Sequence, residues 1–157
     1  MESMKRYLLI LGVLVLTGVC SCHSRQDGGV LVARAFPTMS WERFDYVEET
    51  LTVEKPTTYD LDLDVVFDEK YDFDYFSTVF TVFDASGRPL RSKNYKFTVK
   101  DRDGSWKSEL KDGTLCFRFP LNSQLSLNEP GTYTFQLENR MPITPLTGIR
   151  EISIVSK

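Results

Sequence analysis

The chain has 157 residues, 41% of them hydrophobic and 26% charged, with a formal net charge of −3. These proportions fit one folded domain and exclude a disordered or collagen-like chain. One histidine and three cysteines leave no material for a multi-histidine zinc site, a disulfide framework or a histidine-based catalytic triad. The mild acidity gives no reason to expect a nucleic-acid partner.

The first 22 residues have the three parts of an export signal. Lys5 and Arg6 form a basic start, Tyr7 to Leu16 an apolar run, and Thr17 to Cys22 a stretch dominated by small residues. The apolar run is shorter than the roughly 20 residues a membrane span needs. Val19-Cys20-Ser21-Cys22 fits a bacterial lipobox with Cys22 as the acylated residue. Cys20 fits less well, because branched Val19 stands directly before it. The expected organisation is a lipoprotein signal peptide at 1–21, a lipidated flexible tether at 22–30 and a single domain at 31–157. Acylation at Cys22, with palmitate among the acyl groups, would hold the chain on an envelope membrane. Cys116 is then expected as an isolated, partly buried and unreactive thiol.

Beyond the tether the apolar period is two, which predicts strands rather than helices. Val47 to Val53 reads as a weak strand. Leu61, Leu63, Val65 and Phe67 alternate with polar neighbours, and Tyr75 to Phe83 is apolar on both parities, as in a covered central strand. Tyr95, Phe97 and Val99 continue the series, followed by Leu115, Phe117 and Phe119, then Tyr133, Phe135 and Leu137, and finally Ile152 and Ile154. Turn residues separate the runs at 84–88, 101–104, 111–113 and 128–131. The expected fold is all-β, an antiparallel sandwich of about seven to eight strands.

Asp60, Asp62, Asp64, Asp68, Asp72 and Asp74 form the densest acidic stretch. Oxygen ligands of this kind suit calcium, but the glycine and distal glutamate of a calcium loop are missing. The preferred reading is the solvated face of an edge strand, charged against edge-to-edge pairing. No metal, cofactor or catalytic residue is expected. Trp41 and Trp106, with Tyr59, Tyr71 and Tyr75, could stack sugars if they formed an exposed platform.

Four segments carry a resemblance to a known family. They are Phe83-Asp-Ala-Ser-Gly-Arg-Pro-Leu90, Phe97-Thr-Val-Lys-Asp101, Glu129-Pro-Gly-Thr-Tyr-Thr-Phe-Gln-Leu137, and the tail from Met141 to Ile149, where Met141, Leu146, Gly148 and Ile149 fall in register. In their order and spacing the chain resembles the gliding motility lipoprotein GldH family of the Bacteroidetes. It departs at Pro142 and Thr147, where the family usually has arginine and proline; Arg140 is the nearest substitute for that arginine. The resemblance implies a non-catalytic, membrane-anchored component of the gliding or associated secretion machinery, in the cell envelope, binding other envelope proteins. The tail loop, with Met141, Ile143 and Leu146, is then expected to be its recognition surface. The competing reading of that loop folds the three side chains back as a plug on the sandwich. The competing function is surface glycan binding, which an exposed platform containing Trp41 or Trp106 would favour.

Overall fold

The computed structural model describes residues 29–157. The expected signal peptide, the lipidation site at Cys22 and all but the end of the tether lie outside them. The described residues form β1 (Val30–Ala35), β2 (Ser40–Trp41), β3 (Val47–Val53), β4 (Thr57–Asp68), β5 (Tyr75–Phe83), β6 (Pro89–Thr98), β7 (Leu110–Lys111), β8 (Thr114–Leu127), β9 (Gly131–Asn139), β10 (Leu146–Thr147) and β11 (Ile149–Ser156). One sheet has the order β1-β11-β4-β8-β7 and the other β3-β9-β5-β6; β10 and β2 form a separate two-stranded ribbon. Every ladder is antiparallel. The all-β sandwich expected from the two-residue period is the fold observed.

The two inner faces share one core, which includes Leu63, Phe67, Phe76, Phe80 and Phe135. Phe67 of β4 stacks on Tyr71 at 4.0 Å between ring centroids and meets Phe76 of β5 edge-on at 5.6 Å. Burying one such ring contributes about 1.5–3 kcal/mol, and aromatic pairs add about 0.5–1.5 kcal/mol. On the flank formed by β6 and β8, Phe97 stacks on Phe119 at 4.3 Å, and the Tyr95 hydroxyl donates to the Leu121 carbonyl.

β4 corrects the edge-strand expectation for the acidic stretch. It is a central strand, laddered to β11 on one side and β8 on the other. Its leucines and Phe67 face the core, while its carboxylates face outward and meet cations from neighbouring strands. Asp64 takes a two-pronged contact from Arg118 at 2.7 Å, Asp62 pairs with Lys157 at 2.9 Å, and Asp68 pairs with Arg150. Donating to Asp64 raises the Arg118 pKa further, and the hydrogen bond accepted from Arg150 lowers that of Asp68. An antiparallel sheet leaves one face to solvent, so cross-strand pairing allows a D-x-D-x-D strand to lie at its centre.

Cys116 lies half-buried on the outward parity of β8, alternating with the core residues Leu115 and Phe117.

The sandwich has two unlike ends. Val30 starts β1 at what we call the entry end. The tight connections 54–56, 84–88 and 128–130 share that end, and so does the C-terminus, where the Ser156 N–H donates to Gly29. In the 84–88 turn, the Asp84 carboxylate accepts from Ser86 and Arg88, which holds its pKa down to about 2. The opposite, far end carries the longer connections 36–46, 69–74, 99–109 and 140–148.

Candidate functional site

The tail loop that the sequence singles out is built on β9. The loop leaves that strand at Asn139, whose amide is fully buried. Its Nδ2 donates to the Trp41 carbonyl at 2.8 Å, and its Oδ1 accepts the Met141 N–H at 3.0 Å. Asn139 thereby ties the tail loop to the ribbon strand β2. Met141 then turns inward. Its Sδ accepts the Ser77 N–H at 3.1 Å and lies 4.0 Å from the Tyr71 hydroxyl, whose own pKa burial pushes up strongly. Leu146 is paired with Trp41 across the ribbon and is fully buried. Gly148 has φ +83, and a Cβ there would meet the Tyr71 backbone at 2.9 Å, so this close approach requires glycine.

Of the three residues expected to recognise a partner, Met141 and Leu146 are therefore core, and only Ile143 reaches solvent, at 57% exposure. The structure does not bring the three together on a surface. It brings Ile143 beside a different residue. Arg43 in the 42–46 loop donates to the carbonyls of Met141 and Pro142 at 2.8 and 3.3 Å, and its own N–H donates to Thr144 Oγ1 at 3.1 Å. Thr144 in turn donates to Glu42 at 3.0 Å. This clamp joins two far-end loops whose tips carry Phe44, 76% exposed, and Ile143. Phe44 is missed by sequence reasoning because a lone phenylalanine between Arg43 and Asp45 has no period to mark it as exposed.

The aromatic residues considered for sugar stacking do not form a platform. Trp41 is fully buried and packs between Phe36 and Phe76. Trp106 is half-buried, with Tyr71 at 6.5 Å and the Lys100 ammonium over its ring at 4.4 Å. Lys96 lies over Tyr75 at 4.0 Å. Among the described residues, no group of three or more His, Cys, Asp or Glu side chains is placed to hold a metal ion.

Residues 32–155 match the family model described as GldH lipoprotein. The chain belongs to the GldH lipoprotein family. The match spans both sheets and both far-end loops, so the clamp lies within the family domain. No curated protein matches this GldH-family chain. Among solved structures, a family 35 carbohydrate binding module from Clostridium thermocellum shares 17% identity, with 81% of this chain and 88% of that one covered and a TM-score of 0.39. Dimeric latent PorU from Porphyromonas gingivalis shares 9% identity over 82% of this chain and 12% of that one, with a TM-score of 0.33. Values this low assign nothing to the GldH-family chain.

Proposed function

We infer that the protein is an outer-membrane lipoprotein, exported by its signal peptide and acylated at Cys22. On this reading it serves the gliding machinery, or the associated secretion apparatus, as a non-catalytic component that binds another envelope protein. The observation that carries the binding part is the position of Phe44 and Ile143. Both are exposed on clamped loops at the far end, while Val30, the last residue of the expected tether, enters at the other. Exposed large apolar side chains held on ordered loops suit recognition, because little ordering entropy is lost when they are covered. An anchor at the entry end would leave those loops turned away from the bilayer the protein sits in.

Two measurements test the reading. After cross-linking in membranes, Phe44→Asp together with Ile143→Asp is expected to abolish co-purification of gliding or secretion components while leaving the domain folded. Unchanged recovery of those components from the double variant would refute the site. Cys22→Ser is expected to remove fatty-acid labelling and membrane retention, since acyl chains contribute about 0.8 kcal/mol per buried CH₂. Persistent labelling would move the anchor to Cys20. The glycan-binding alternative gains no support from Trp41, which is buried, or from Trp106, whose ring carries Lys100.

A further inference from the structure

The four-stranded sheet ends in two strands, each laddered on one side only: β3 at one edge and β6 at the other. β1 of the opposite sheet packs beside β3 but forms no ladder with it. The edges carry opposite charge. From Val47 to Glu54 the chain has Glu48, Glu49 and Glu54 and no base, whereas from Arg88 to Lys100 it has five bases and no acid. Glu48, Glu49, Arg91 and Lys93 are exposed. None of the four makes an ion pair among the described residues.

The ladder registers connect these charges. Glu49 is opposite Phe135, Phe135 opposite Val82, and Val82 opposite Arg91. One lateral row of the sheet therefore begins at Glu49 and ends at Arg91, and both share the inward parity. The neighbouring row runs from Val47 through Leu137 and Phe80 to Lys93. Polarity agrees as well. With four strands alternating in direction, β3 and β6 run opposite ways, so a copy displaced sideways without rotation presents β3 antiparallel to β6. Glu49 of one copy then lies across from Arg91 of the next and diagonal to Lys93, within reach for cross-strand attraction.

We propose that the partner of this sheet is a second copy of the chain, with β3 of one molecule adding to β6 of the next in an open row. Bases on an edge strand ordinarily block like-with-like pairing. Here that rule forbids β6 against β6 and, through Glu48 and Glu49, β3 against β3, leaving the mixed pairing as the favoured one. Sideways displacement also keeps every entry end on the same side. Antiparallel β6-to-β6 pairing would invert one copy and set the two entry ends apart. Such a head-to-tail contact does not close on itself. Confinement to one membrane, on the anchoring reading above, raises the local concentration that a short edge contact needs.

The test uses the full-length protein in its own membrane, with Asn94→p-benzoylphenylalanine on β6 as the photo-cross-linker. Illumination is expected to give a ladder of dimers, trimers and larger species, with the cross-link mapping to residues 47–53 of another copy. Arg91→Glu with Lys93→Glu is expected to reduce the ladder roughly tenfold, and so is Glu48→Lys with Glu49→Lys. Co-expressing the two double variants, each carrying the cross-linker, restores it, because the reversed edges of one match those of the other. Four results would overturn the proposal: monomer only, a dimer cross-linked β6 to β6, cross-links only to a different protein, or ladders as strong in each variant alone as in the mixture.

Discussion

Asn139 makes the sharpest quantitative demand on the structure, because one buried amide satisfies two elements at once. Truncation by Asn139→Ala leaves the Met141 N–H without its acceptor and the Trp41 carbonyl without that donor. An orphaned buried group costs about 1–3 kcal/mol, and a lost hydrogen bond about 0.5–1.5 kcal/mol. The expected loss is therefore about 2–4 kcal/mol, large against the roughly 5–15 kcal/mol that holds a domain together. Asn139→Asp separates the two bonds. It keeps an acceptor for Met141 but sets a carboxylate against the Trp41 carbonyl in a buried site, which raises its folded pKa above the unfolded value of about 3.9. A raised folded pKa means that stability is greatest below pH 4 and is lost as pH rises through the folded value. Urea unfolding of the exported domain, run from pH 4 to pH 8 against the unaltered protein, reads both effects. An alanine variant within about 0.5 kcal/mol of the parent, the ordinary scatter of surface substitutions, would refute the tie. So would an aspartate variant whose deficit does not grow with pH.

Other substitutions test the rest of the far end. Leu146→Ala should cost about 2–5 kcal/mol as a core truncation, while Ile143→Ala should stay within about 0.5 kcal/mol; equal costs in denaturant would mean that the loop is placed wrongly. Gly148→Ala adds a Cβ 2.9 Å from the Tyr71 backbone at a positive φ, so it should lower Tm clearly, by the equivalent of about 1–3 kcal/mol. The Arg150 contact lowers the Asp68 pKa, so its stabilisation is full above the unfolded carboxylate pKa and fades as pH falls through the folded one. Arg150→Ala should therefore flatten the acid limb of the stability profile, and an unchanged limb would show that the pair contributes nothing.

The legible part of the fold is the part where an apolar strand pattern is bracketed by polar residues. β3 and β5 have the bounds read from the sequence, because Val47 to Val53 is bracketed by polar residues and Tyr75 to Phe83 is apolar on both parities. β4 was readable as a strand but not as a central one. Its aspartates speak of solvent, whereas Arg118, Lys157 and Arg150, which neutralise them, come from positions far along the chain. β1 was hidden because Val-Leu-Val-Ala-Arg-Ala follows directly on the tether and lacks a polar alternation. The two-residue strands β2 and β10 exist only through the ribbon that Asn139 and Arg43 hold together, and no local pattern announces a pairing of Trp41 with Leu146. The candidate site shares that blindness. Two prolines and three apolar residues marked the tail loop correctly as unusual, but which of the three faced water depended on contacts made about 100 positions earlier.

The two ends of the sandwich are ordered by different means. Strands joined by tight turns at the entry end need only polar caps, and Asp84 shows how one carboxylate organises such a turn. The chain crosses between the two sheets at both ends, by the short turns 54–56 and 128–130 at the entry end and by longer segments at the far end, from β1 to β3 through β2 and from β9 to β11 through β10. Crossing segments of that length leave backbone groups that no ladder satisfies. The Arg43 guanidinium takes two of those carbonyls and the Asn139 amide takes a third, so order in the crossings comes from side chains rather than from a sheet. Loops ordered in this way can carry Phe44 and Ile143 outward without collapsing onto the core. The same reasoning predicts what happens when the clamp is cut. Arg43→Ala removes both carbonyl contacts but no core side chain, so the sandwich should persist while hydrogen exchange at Met141, whose N–H is held by Asn139 Oδ1, accelerates. Exchange in the loop that stays as slow as in the parent would show that the ribbon alone orders it, and that Phe44 and Ile143 owe their placement to β2 and β10 rather than to Arg43.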